Sequence, residues 1–140
     1  MEIKDLVEIG MIKKIEPDKE LVDKEFKEAD YDIEKARIAL EEKDYKWTIV
    51  KAYYSVFHAA KAILISRGYN EKAHIGIAEF LNILSKEGKL ESRYVVDFKA
   101  AMSARQGADY QYDYSEEKAK AIISLAEEFI DRMEELKDKT

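Results

Sequence analysis

The run Arg105-Gln-Gly-Ala-Asp-Tyr-Gln-Tyr-Asp-Tyr114 places three tyrosines at alternate positions just after an arginine. A guanidinium presents a planar fork of donors that suits a phosphate, and aromatic rings give unstacked RNA bases a surface to lie on. Arg105 shares the apolar arc of its helix with Tyr94, Phe98 and Ala101, so its charge is expected to be partly buried and to need an acceptor. Asp109, one turn further on, is the local candidate. Two readings follow: Arg105 and Asp109 form an ion pair that fixes the core, or they form the centre of an anion-handling site with Tyr110 and Tyr112 beside it. The plain reading of the tyrosines is that they fill one end of the molecule with their hydroxyls in water.

A second polar set lies on an otherwise apolar stretch. Lys51, Tyr54, Ser55, His58 and Lys61 recur at helical spacing and form one stripe that could bind a ligand through Lys51, Tyr54 and His58. His58 acting as a general base would need a reacting group within hydrogen-bond reach, and its alternative is a hydrogen-bonded packing histidine. Ser55 and His58 lack a third orienting group, so they do not read as a nucleophile pair. Glu71-Lys-Ala-His74 has the Glu-x-x-His spacing of carboxylate-bridged metal bundles, but those need the motif twice with further inward glutamates, and here it occurs once. With no cysteine, no zinc-ligand spacing and no phosphate-cradling glycine loop, neither a metal nor a cofactor is expected.

These residues need helices to position them, and the composition points that way. In 140 residues there are only 5 Gly and 1 Pro, too few for the turns of a β-rich fold. Residues 2 to 9 could form a short amphipathic helix on Ile3, Leu6 and Val7, and residues 1–17 are read as an N-terminal extension of a bundle domain over 18–140. Phe26, Ala29, Ile33, Ala36 and Leu40 predict an amphipathic helix from Asp18 to about Lys43, with an acidic outer face. The next helix, about Tyr45 to Arg67, is apolar over most of its circumference and belongs at the centre. A third is expected after Asn70 as cap, and a fourth from about Ser92 toward Arg105 with an uncertain end near Gly107. The last starts at Ser115, whose hydroxyl can cap it, with Glu116 and Glu117 at the positive end of the helix dipole. The expected fold is an all-α, up-and-down antiparallel bundle of four long helices plus a shorter one. The wide apolar arc of the last helix could supply a homodimer seam.

Charge is distributed unevenly. Residues 1 to 44 carry 9 basic and 15 acidic side chains, residues 45 to 108 carry 10 and 5, and residues 109 to 140 carry 5 and 10, for a net of -6. Binding nucleic acid over the whole surface is disfavoured, and the basic middle becomes the place to look. The N-terminus lacks the basic start and apolar run of a secretory signal, and no stretch approaches the ~20 apolar residues of a membrane span. A cytoplasmic location is expected.

Two segments taken together resemble a known family. Ala52-Tyr-Tyr-Ser-Val-Phe-His-Ala-Ala-Lys-Ala-Ile-Leu64 and then Arg105-x-x-Ala-Asp-Tyr110 look like the paired signatures of small prokaryotic HEPN proteins, over about Asp18 to the C-terminus. The resemblance implies a dimerising helical bundle, often paired with a minimal nucleotidyltransferase in a two-gene toxin–antitoxin arrangement. It also implies a metal-independent ribonuclease whose Arg is followed, four to six residues on, by a His in a cleft shared by two subunits. Arg105 matches that Arg, whereas Tyr110, Gln111 and Tyr112 stand where the His would fall. Phenols ionise far above neutral pH and are poor bases there. The family further implies a second role, in which the nucleotidyltransferase adds AMP to a tyrosine beside the motif. Tyr110 and Tyr112 are the matching positions, and the chain would then be a non-catalytic docking module.

Overall fold

The computed structural model describes residues 1–139. In chain order its elements are α1 (Ile3–Glu8), β1 (Ile12–Lys14), α2 (Lys19–Glu41), α3 (Tyr45–Ser66), β2 (Tyr69–Glu71), α4 (His74–Lys86), α5 (Ser92–Tyr110) and α6 (Glu116–Lys137). The long helices α2, α3, α5 and α6 form the bundle and α4 is the shorter helix, in the expected all-α architecture. Fourteen side chains of α3 are buried, from Thr48 to Ile65, so it runs through the middle with α2, α5 and α6 around it. Its buried hydroxyls are accommodated locally: Thr48 Oγ1 donates to the Asp44 carbonyl at 2.8 Å and Ser55 Oγ to the Ala52 carbonyl at 2.6 Å. Phe80, Phe98 and Phe129 are fully buried around this axis. Each contributes ~2 to 3 kcal/mol by leaving water.

The α2–α3 turn is compressed by one residue doing two jobs. The Asp44 amide donates to the Ala39 carbonyl at 2.8 Å and the Lys43 amide to the Leu40 carbonyl at 3.0 Å, a closing pattern that normally selects glycine at the position of Lys43. Lys43 accordingly sits at φ 61°. Asp44 then accepts from the Trp47 amide at 3.3 Å and caps α3.

Residues 1–17 pack onto the bundle. Leu6 and Ile12 are fully buried, and β1 pairs antiparallel with β2 in the register Ile12↔Glu71, Lys13↔Asn70, Lys14↔Tyr69. This small sheet corrects the expected start of the third helix. Asn70 lies in β2, and α4 begins at His74 because the Met11 carbonyl accepts the Lys72 and Ala73 amides at 2.9 and 3.2 Å. The approach is close: a Cβ on Gly76 would lie 2.5 Å from the Met11 carbonyl oxygen. α5 in turn runs through Gly107 to Tyr110. No helix among the described residues is long and apolar enough to cross a membrane.

Candidate functional site

α5 buries Phe98, Ala101, Ala104 and Ala108 against the core, which points Arg105, one residue after Ala104, along the α3 surface. Its guanidinium carbon lies 5.9 Å from the Tyr53 ring centroid and 5.7 Å from that of Tyr54, cation–π distances to both. The two rings meet edge to face at 5.1 Å. Arg105 Nε is 2.8 Å from Asp109 Oδ2, with the two side chains 26% and 20% exposed, so the ion pair foreseen from spacing exists and is largely shielded. The Nε hydrogen is not aligned with that oxygen, however, and this buried atom has no hydrogen-bond partner among the described residues. The arginine is thus held by charge and by two aromatic rings while a donor remains unused.

Tyr53 is almost completely buried, and its hydroxyl is pushed up to about 12 by burial, against which the Arg105 charge acts. By periodicity Tyr53 belongs to the apolar circumference of α3. Tyr53 and Tyr54 point about 100° apart on α3, and nothing in the sequence said that Arg105 would span both rings.

Beyond Asp109 the chain turns outward. Tyr110 and Tyr112 are 72% and 80% exposed, the most exposed tyrosines, while Tyr114 is 42% exposed. The Gly107 carbonyl accepts both the Gln111 and the Asp113 amides at 3.0 Å, which forces Tyr112 between them into the left-handed region at φ 55°. Asp113 is anchored by Lys118 Nζ at 2.7 Å, and Ser115 caps α6 by accepting from the Lys118 amide at 3.1 Å. The backbone of this segment is fastened and its tyrosine rings are left in solvent.

The Lys51–Tyr54–His58 stripe divides. Tyr54 faces Arg105, whereas His58 and Lys61 turn to acidic groups on α2 and β2. His58 Nδ1 lies 2.6 Å from Glu25 Oε2 and its Nε2 lies 3.6 Å from Asp32 Oδ2. Lys61 Nζ is 3.8 Å from Glu25 Oε1 and 3.2 Å from Glu71 Oε1. Burial opposes a charge on His58, but the hydrogen bond it donates to Glu25 and the charges of Glu25, Asp32 and Glu28 outweigh it, and its pKa is raised. Burial also raises Asp32, with the charges of His58 and Lys51 pulling the other way. Lys51 Nζ lies 5.9 Å from the Trp47 ring.

Glu25 and Asp32 were read as part of the solvated acidic face of α2, yet both are only 9% exposed. A signal was present: each falls beside Ala29 or Ala36 in the three-and-four spacing of the buried stripe. Glu71 lies on β2 and His74 opens α4, where it stacks on Phe57 at 5.0 Å, so this Glu-x-x-His run does not share a helix face.

Residues 22–136 match the HEPN domain. The chain belongs to the HEPN domain family. Among its relatives, "Putative toxin MJ0605" of Methanocaldococcus jannaschii is 36% identical over 107 residues, covering 75% of this chain and 80% of the relative. The UPF0332 protein PH1297 of Pyrococcus horikoshii is 34% identical over 64 residues, 46% of this chain and 45% of that one. "Putative toxin MJ0142", also of Methanocaldococcus jannaschii, is 27% identical over 110 residues, 71% and 75% of the two chains. α1 and β1 precede the HEPN match, and the Arg105–Asp109 pair and Tyr110, Tyr112 and Tyr114 lie inside it.

Proposed function

We propose that this HEPN protein is the toxin-type member of a toxin–antitoxin pair, and that it binds single-stranded RNA at Arg105 in a cleft completed by a second copy of the chain. The observation that carries the reading is the seating of Arg105: a shielded guanidinium laid over Tyr53 and Tyr54, matched by a single carboxylate and retaining an unused Nε donor. A phosphate oxygen supplies the acceptor that donor lacks, and charge-assisted bonds of this kind are among the stronger ones. Tyr110 and Tyr112, exposed just beyond Asp109, offer ring faces for bases at ~1 to 3 kcal/mol each. Asp109 keeps the guanidinium oriented.

Recognition is better supported than cleavage. The positions of the family's motif histidine hold Tyr110, Gln111 and Tyr112, and His58 is bonded to Glu25. Titration of labelled single-stranded RNA in chelator, with Arg105→Ala and Arg105→Lys alongside, tests this. Binding is expected to weaken at least about 10-fold in both variants, since lysine cannot reproduce the planar fork. Equal binding by all three proteins removes Arg105 from the site, and cleavage of the RNA by the parent chain alone restores the ribonuclease reading.

A second reading is favoured by the presentation of Tyr112, whose left-handed backbone sets its hydroxyl outward at 80% exposure. In it, a nucleotidyltransferase partner docks here and transfers AMP to Tyr112 or Tyr110. Co-expression with a neighbouring nucleotidyltransferase, followed by intact-mass measurement, separates it from RNA binding.

A further inference from the structure

We propose that Glu28, Asp32 and His58 form a divalent-cation site of the zinc class that ties α2 to α3. One donor atom from each lies within 4.8 Å of the others. Two ligands bound tetrahedrally at ~2.1 Å stand about 3.4 Å apart. His58 Nε2 and Asp32 Oδ2 are separated by 3.6 Å, close to the spacing an intervening ion requires and too long for a hydrogen bond.

Two features of the cluster suit a ligand. The Asp32 side chain is only 12% exposed, and its charge partner across the helix interface is that same Nε2 at 3.6 Å. Meanwhile, the other ring nitrogen of His58 is fixed by Glu25 at 2.6 Å. A carboxylate on Nδ1 selects the tautomer whose Nε2 lone pair is free, and that lone pair faces Asp32. This is the supporting arrangement that zinc-bound histidines use. Without an ion, a proton on Nε2 pairs the ring with Asp32 across 3.6 Å. A bound cation takes that proton's place and makes two ligand bonds.

Helix geometry makes the cluster. Glu25, Glu28 and Asp32 follow one another by three and four residues, so they occupy one side of α2 opposite His58 of α3. Glu28 is exposed and can swing in as the third ligand, leaving the fourth position to water. Imidazole favours zinc-class ions over magnesium or calcium. The local charge balance suits a cation, with Glu25, Glu28, Asp32 and Glu71 gathered around His58, Lys51 and Lys61. Binding displaces the proton from His58 to solvent, and the ion's role is to cross-link two helices. The inference stands apart from RNA binding at Arg105.

The test is a titration of the full chain, stripped with chelator, with Zn²⁺ against a chromophoric competitor, and with Co²⁺ followed by its visible absorption. One ion per chain is expected, with a rise in Tm. Asp32→Asn should weaken binding more than about 10-fold, and Glu25→Gln, which loosens the supporting bond, by roughly 10- to 100-fold. His74→Gln should leave it unchanged. Absence of saturable binding overturns the site, as does binding unaltered by Asp32→Asn or lost in His74→Gln. Should Asp32→Asn fail to fold, Glu28→Gln, at an exposed position, must weaken binding by itself.

Discussion

His58 Nδ1 stands 2.6 Å from Glu25 Oε2, a bond that crosses from the central helix to α2 where both side chains are largely withdrawn from water. It takes His58 out of the tyrosine and arginine surface and makes it part of the α2–α3 interface.

That bond gives the fold a pH dependence. The folded-state pKa of His58 lies above 6.5, so the stability it contributes is fully present below pH 6.5 and is lost as pH rises through the raised value. In chelator, Tm is expected to fall between pH 6 and pH 8.5, and His58→Gln should flatten that fall. A profile equally steep in both proteins would assign the effect to another group.

Arg105→Ala leaves the 80% buried Asp109 carboxylate without its cation. The cost is expected to be about 1 to 3 kcal/mol in a denaturant melt, because an unpaired, shielded charge keeps its desolvation penalty. Arg105→Ala combined with Asp109→Ala should recover part of that stability. RNA binding should stay weak in the double variant, whereas a purely core role for the pair leaves RNA affinity untouched in either.

Lys43 holds a left-handed conformation in a turn whose two amide bonds suit glycine. Lys43→Gly is expected to stabilise the chain by ~0.5 to 1 kcal/mol, the relief of backbone strain exceeding the added entropy of the unfolded chain. An unchanged or lower Tm would show that the strain is already relaxed.

Gly76 brings α4 against the Met11 carbonyl, where a methyl group would lie 2.5 Å from oxygen. Gly76→Ala is expected to destabilise by about 2 kcal/mol or more, since backbone has to shift to admit it. Hydrogen exchange should show the loss concentrated in α1, β1 and β2. Uniform loss across α3 and α6 would contradict this placement.

Sequence alone was enough for the helical class, the order of the four long helices, the central position of α3 and the Arg105–Asp109 pair. Each follows from local rules: apolar periodicity, scarce Gly and Pro, and a one-turn spacing that sets partners on the same helix face. The paired motifs on α3 and α5 were also enough to see the HEPN resemblance. Tertiary structure decided which side chains meet between elements separated in sequence. Only packing α2 on α3 shows that Glu25 and Asp32 enclose His58, because a carboxylate beside alanines in the stripe reads equally well as the edge of a solvated face. Only packing α5 on α3 lays Arg105 across Tyr53 and Tyr54, and only the pairing of β1 with β2 moves Asn70 from a helix cap to a strand. Local periodicity sets the face a residue occupies, and the partner on that face is chosen by the global arrangement of the helices.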